Sequence, residues 1–339
     1  MALPTTARVV RLTAEPAGLP APEDFTVAEE PLPAPGAGEV LVRNRSFLVF
    51  PGLRTLIGGG GSGLPLPHLT PGDALFGPAL GEVLAAPQGG PLHPGDLVTH
   101  MYGWRDHALA DAGHFTPVPA DFPEPTALLS VAAAGYGGLT RGAGVRPGDV
   151  VLVTGAAGGV GTVSGQVARL LGASRVIGTT RSPAKAKRLT AELGYDAALV
   201  PGERPLAEQL AGAAPDGIDV VLDLVGGEQL TAAVDAARRG ARFALVGALD
   251  GQFAPDRRGG DAPAVIDSFR VVTLGLTLSG YTHLDHPDLG AEWRERLGAW
   301  LRAGELTVPW NPVAGIDRAP AALTELFTGG TYGMTIVEL

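Results

Sequence analysis

Cysteine is absent from the 339 residues. That excludes disulfides, cysteine nucleophiles, iron–sulfur clusters and every thiolate zinc site. Lysine is scarce too, with Lys185 and Lys187 the only two. The 25 Lys plus Arg face 35 Asp plus Glu, a net charge of -10, and no basic run occurs, so the chain offers no electrostatic footprint for nucleic acid. Long apolar runs are also missing: no stretch reaches the roughly 18 uninterrupted residues of a membrane span. Met1 to Arg8 shows no basic segment leading into an apolar core. A soluble, cytoplasmic protein without nucleic-acid or membrane partners is expected.

What the chain does contain is turn chemistry and apolar residues, with 50 Gly, 30 Pro and 45% hydrophobic residues. At about 100 to 200 residues per domain, its length suggests two domains, each able to bury a core. Up to about Asp121 the chain reads as short apolar runs broken by Gly and Pro: Phe25–Val27, Gly38–Arg43, Gly81–Leu84 and Asp96–Thr99. Such spacing predicts an antiparallel β domain. Gly58 to Gly63 reads as a plain loop first and a ligand-shaping loop second.

The pattern changes after Pro123. A helical segment over 125–143 precedes Asp149–Thr154, a continuous apolar run of the kind buried on both faces of a parallel sheet. Strands are then predicted at 174–179, 197–200, 218–224, 241–247 and 271–278. Helical patterns lie between them near 160–172, 183–193, 204–212 and 227–238. Six strands with crossover helices make a doubly wound α/β domain. A last helix, Leu289 to Arg302, leads into a strand-like tail.

Gly155-Ala156-Ala157-Gly158-Gly159-Val160-Gly161 follows one of these strands and opens a helix, the context that a dinucleotide fingerprint requires. Gly158 would let the backbone approach a pyrophosphate and Gly161 would let helix and strand pack closely. The helix start at Val160 to Thr162 supplies N–H groups and the positive dipole end. NAD-specific sites place a carboxylate about 20 residues further on, whereas a 2′-phosphate needs cations. Here the second strand runs into Thr180-Arg181-Ser182-Pro183-Ala184-Lys185, with no acid. NADPH is therefore the expected cofactor.

Together with Val49, Pro51 and Arg54, Gly103–Ala108, Asp219–Gly227 and Gly240–Gly247, these features resemble one branch of the medium-chain dehydrogenase/reductase superfamily. It is the zinc-independent branch of leukotriene 12-hydroxydehydrogenases, prostaglandin reductases and alkenal double-bond reductases. The resemblance implies an α/β fold: a GroES-like β-barrel catalytic domain over 1–122 and 303–339, and a doubly wound Rossmann nucleotide-binding domain over 123–302. It implies cofactor contacts at Gly155, Ala157, Gly158, Gly159, Val160, Gly161, Thr180, Arg181, Val225 and Thr331. Lys185 would meet the 2′-phosphate, and Val246-Gly247-Ala248 would run beside the nicotinamide. Tyr281 falls near a family tyrosine that approaches the substrate carbonyl. Relatives pair their last sheet strand across a two-fold, which makes Val271 to Leu278 the expected interface of a homodimer.

Several positions depart from that branch. Phe50 and Gly52 replace an aspartate and a tyrosine near the substrate, Leu139 replaces a tyrosine, and Thr331 and Met334 stand where Asn and Lys are usual. A cleft rebuilt for a bulkier, less polar substrate is expected, with Phe50, Arg54, Tyr102 and Tyr281 as substrate-binding candidates. No metal site is expected, because zinc alcohol dehydrogenation needs ligands that this cysteine-free chain lacks. Hydride from NADPH can instead add to the β-carbon of an enone or enal, and a donor must then meet the enolate oxygen. Tyr281 is the first candidate donor, with Tyr102 and Tyr136 behind it. His107, His283 and His286 read as surface or structural residues, and Arg54 as a partner for an anionic substrate tail or a structural ion pair. The predicted activity is an enoyl or alkenal reductase of α,β-unsaturated carbonyl compounds. A quinone reductase, or a non-catalytic NADPH-binding protein, is the alternative.

Overall fold

The computed structural model describes residues Ala2–Gly59 and Pro67–Leu339; Gly60 to Gly63 of the glycine-rich tract lie outside the described residues. The chain forms two compact units, Met1–Ser130 with Trp310–Leu339, and Val131–Pro309. These joins fall later than the sequence boundaries at 122/123 and 302/303. Segment 125–129 packs on strands of the first unit, and Gln166 of the second unit binds both the N–H and the C=O of Thr307, at 2.9 and 2.8 Å.

The first unit is built from β1 (Thr6–Leu12), β2 (Phe25–Pro31), β3 (Glu39–Val49), β4 (Ala79–Ala85), β5 (Leu97–His100), β6 (His107–Asp111) and β7 (Thr116–Pro117). The first two pair antiparallel, from Thr6 opposite Pro31 to Leu12 opposite Phe25. The long β3 is the hub of a second sheet, pairing antiparallel with both β4 and β6. Its Val40, Leu41 and Val42 are all fully buried, Val40 and Val42 in a cluster with Val83, Val98, Ala108 and Phe115, so this strand is covered on both faces here rather than alternating.

The second unit holds β8 (Val150–Val153), β9 (Arg175–Thr179), β10 (Ala197–Leu199), β11 (Ile218–Asp223), β12 (Ala237–Leu245) and β13 (Thr277–Gly280). They form one parallel sheet in the order β10-β9-β8-β11-β12-β13. Order reverses at β8 and β11, the switch point beyond whose carboxyl ends doubly wound sheets bind ligands. Val150 to Val153 are buried throughout, as expected for a strand covered on both faces. The chain then returns to the first unit through β14 (Trp310–Ala314) and β15 (Met334–Glu338), and β15 pairs with β3.

Two expectations fail locally. The strand expected over 271–278 is a helix, Ser268–Leu274, followed by the short β13. Val271, Val272 and Thr273 have strand propensity, but caps at both ends prevail. The Asp267 carboxylate accepts from the N–H groups of Phe269 and Arg270, and Gly275 closes the helix at φ 61°. The helix expected over 125–143 is broken into a 3-10 turn at Pro125–Leu129, an α turn at Ala133–Gly137 and a π turn at Gly138–Gly142. Here glycine permits close packing: a Cβ on Gly138 would lie 2.6 Å from Leu222 Cδ1.

Candidate cofactor-binding site

The carboxyl ends of β8, β9, β11 and β12 bring most of the expected cofactor residues to one end of the parallel sheet. After β8 the chain turns at Gly155, whose φ of +63° is left-handed and suits glycine. The turn is tied to β9, because Gly155 N–H donates to Thr179 Oγ1 (3.0 Å) and Ala156 N–H to Thr179 O (2.8 Å). Thr179 Oγ1 itself donates to Gln229 Oε1 at 2.6 Å. The helix Gly161–Leu170 then starts against the loop, so closely that a Cβ on Gly161 would lie 2.5 Å from Ala156 Cα. Tyr195, buried beneath it, donates its hydroxyl to Gly161 O at 2.7 Å. At Gly158 only Gly155 O lies within reach of an added Cβ, at 3.6 Å, and the residue is exposed. An exposed, open glycine at a helix N-terminus fits a pyrophosphate, which needs backbone approach and N–H donors.

Beyond β9, Thr180 is buried and Arg181 exposed. Ser182 caps the helix Pro183–Glu192 by accepting from Lys185 N–H, with Pro183 at its first position. Lys185 has its pKa lowered by burial and by the neighbouring Arg181 charge. Two cations held this close, one of them partly desolvated, favour an anion between or beside them.

Asp223 at the end of β11 organises the other half of the site. Its buried carboxylate accepts from Thr154 Oγ1 (2.7 Å) and from the N–H groups of Val225 (3.3 Å) and Gly226 (3.0 Å). Its backbone C=O accepts from Val246 (2.8 Å) and Gly247 (3.2 Å). Burial raises its pKa against the lowering effect of Thr154 and the two amides. Gly247 passes so close to Leu224 that a Cβ would lie 2.5 Å from Leu224 O. One residue thereby fixes both the Val225 turn, an expected cofactor contact, and the Val246–Ala248 turn expected beside the nicotinamide. Sequence reading missed Asp223, Thr154, Thr179 and Gln229. The available signal was an acid ending an otherwise apolar buried strand.

The tyrosine candidates separate. Tyr136 donates its hydroxyl to Glu292, which also takes Arg141 at 2.9 Å, and its ring packs 5.3 Å from Trp293. Burial and the Glu292 hydrogen bond push its pKa up to about 12. Tyr281 is buried and stacks on His286 at 5.1 Å, and its hydroxyl has no hydrogen-bond partner among the described residues. That hydroxyl lies against Gly137, where a Cβ would sit 1.8 Å away. Burial raises the Tyr281 pKa as well.

The remaining candidates lie in the first unit. Thr331 precedes β15, Phe50 follows β3, and Arg54 is buried in the short helix Leu53–Ile57. Tyr102 lines a cavity of about 460 Å³ together with Phe76, Pro78, His100, Met101 and His114. Its backbone N–H donates to His100 Nδ1 at 3.1 Å, which places the imidazole proton on Nε2. His100 is held neutral, its pKa pulled down to about 3 by burial and the Arg105 charge. His107 pairs with Asp106 at 2.9 Å. Among the described residues no three His, Asp or Glu side chains come together to hold a metal ion, and no helix is long and apolar enough to cross a membrane.

A family model described as a zinc-binding dehydrogenase matches residues 159–299, and one described as the N-terminal domain of an oxidoreductase matches residues 8–118. The YfmJ oxidoreductase of Bacillus subtilis (strain 168), named as NADP-dependent, is 30% identical over 337 residues, covering 97% of each chain. Prostaglandin reductase 1 of Mus musculus is 29% identical, covering 95% of each. The crystal structure of CurA from Vibrio vulnificus, also solved with NADPH, superposes at a TM-score of 0.87 with 25% identity and 98% of each chain covered. The loop, cation pair and Asp223 turns fit the cofactor named for YfmJ and bound in CurA, and the chain is an NADPH-dependent oxidoreductase. It belongs to the medium-chain dehydrogenase/reductase superfamily, in the branch of the prostaglandin and alkenal reductases.

Proposed function

We propose that this enzyme reduces the C=C bond of α,β-unsaturated carbonyl compounds. When bound, NADPH supplies the hydride that adds at the β-carbon. Negative charge then moves to the carbonyl oxygen and a proton goes to the α-carbon, so the protein must supply a hydrogen-bond donor. Branch membership supports this reaction class. The observation that carries the assignment of residues is the Tyr102 cavity, where Phe76, Pro78, Met101, Leu128 and Leu129 offer apolar surface to a conjugated substrate and Thr99, His100, His114, Thr116 and Ser130 offer polar groups beside it.

Tyr102 takes the donor role in this reading. Tyr102 is half-buried and its hydroxyl makes no hydrogen bond among the described residues, whereas the Tyr136 hydroxyl already donates to Glu292 and the Tyr281 hydroxyl is packed against Gly137. His100 holds the Tyr102 backbone by accepting its N–H. Arg181 and Lys185 bind the 2′-phosphate, and the Gly158 turn binds the pyrophosphate.

The test is NADPH oxidation with a panel of linear enals, cyclic enones and quinones, with product masses. Saturated ketone or aldehyde products are expected, with NADPH far ahead of NADH. Tyr102→Phe should lower kcat by about 100- to 1,000-fold with little change in cofactor affinity, as for loss of one oxyanion donor or general acid. An unchanged kcat would remove Tyr102 from the chemistry.

The enzyme also acts as a homodimer in this reading, with β13 as the shared edge. This edge strand has no neighbour on its outer side among the described residues, and the adjoining helix Ser268–Leu274 exposes Phe269 and Val272, 71% and 72% accessible. Unpaired edges beside exposed apolar side chains invite a second copy, and an isologous two-fold covers both. Light scattering should give twice the chain mass, and Phe269→Asp should shift it toward monomer. A monomeric wild-type protein would contradict this assembly.

A further inference from the structure

Arg181 is the exposed cation at the end of β9, and it forms no ion pair among the described residues. What holds it is Phe253: the guanidinium carbon lies 4.6 Å from the centre of that ring. Phe253 follows the short helix Leu249–Gln252, and its N–H donates to Leu249 O at 2.9 Å. The helix is fixed in turn to the site. Leu249 N–H donates to Leu224 O (3.1 Å) and Asp250 N–H to Val225 O (3.0 Å). The Leu249 side chain lies against Gly155, where an added Cβ would be 3.1 Å from its Cδ1. Phe253 is thus anchored to the same backbone that carries the phosphate turn and the Val225 turn.

We propose that Phe253 is a positioning residue for cofactor specificity, its ring serving as the shelf that holds the Arg181 guanidinium for the 2′-phosphate of NADPH. The inference rests on the assignment of Arg181 to that phosphate. A neutral aromatic face attracts a guanidinium without occupying its in-plane N–H donors, which stay available for bidentate contact with a phosphate. A carboxylate in the same place would compete with the ligand. Ordering the long Arg181 side chain before binding also removes part of the entropic cost of holding it in the complex. NADH lacks the 2′-phosphate and gains nothing from the shelf.

The test is calorimetric titration of the full-length protein with NADPH and with NADH, for wild type, Phe253→Leu, Phe253→Tyr, Arg181→Ala and the Arg181→Ala/Phe253→Leu double variant. Phe253→Leu should weaken NADPH binding about three- to tenfold and leave NADH within about twofold, while Phe253→Tyr, which keeps the ring, retains wild-type selectivity. In the Arg181→Ala background the leucine should add no further loss. NADPH binding unaffected by Arg181→Ala would remove the phosphate assignment and the shelf with it. If Arg181→Ala weakens NADPH but Phe253→Leu leaves it unchanged or tighter, the shelf alone is overturned. Equal losses for NADPH and NADH in Phe253→Leu, or a further loss in the double variant, would make Phe253 a general structural residue and also overturn the proposal.

Discussion

Gly161→Ala is expected to raise the Kd for NADPH by about tenfold or more, since overpacking that shifts the binding loop costs about 1–3 kcal/mol, and to destabilise the fold by about 2 kcal/mol. The added methyl would meet Ala156 Cα at 2.5 Å and the Ala156 carbonyl carbon and oxygen at 2.7 Å. These are backbone atoms, so no rotamer change relieves the contact. Ala156 cannot retreat easily, because its N–H is bonded to Thr179 O. Gly158→Ala is the informative contrast. Its methyl meets only Gly155 O, at an ordinary 3.6 Å, so stability should hold while NADPH affinity falls through loss of backbone approach to the pyrophosphate. Titration calorimetry with thermal unfolding separates the two. Equal behaviour of the two variants would contradict the assignment of distinct roles to these glycines.

Removing both Arg181 and Lys185 as alanines should weaken NADPH by about 100-fold or more, since hydrogen bonds to charged groups contribute roughly 1.5–3 kcal/mol each. NADH should change by less than about twofold. The sign follows from the charge: the 2′-phosphate is the anion that distinguishes the two cofactors, and no carboxylate follows β9. The wild-type preference should also shrink as salt is raised, because Arg181 is exposed and its attraction is screened. A parallel loss for both cofactors would place the two cations elsewhere.

Much of the nucleotide unit was legible because its signals are local. The strand Val150–Val153, the Gly155–Gly161 turn and the helix start lie within about a dozen consecutive residues, and each follows from short-range backbone sterics. The acid-free end of β9 was equally readable. What joins these parts is not local. Thr154 meets Asp223 across 69 residues, and Thr179 meets Gln229 across 50; no spacing rule connects them. The helix Ser268–Leu274 was missed because β-branched residues outweighed the Asp267 and Gly275 caps in a pattern reading. Resemblance points first to Tyr281 as donor, but what surrounds a tyrosine hydroxyl is set by distant residues: that of Tyr281 is buried against Gly137, while Tyr102 lines a cavity.

The most direct test of the proposed reaction uses NADPH deuterated at the transferred position of nicotinamide C4, with a cyclic enone, in ordinary water. Conjugate reduction predicts a saturated ketone carrying one deuterium at the β-carbon and a solvent-derived proton at the α-carbon. Deuterium on the carbonyl carbon of an allylic alcohol, or turnover of quinones alone with no label in carbon, would contradict conjugate reduction.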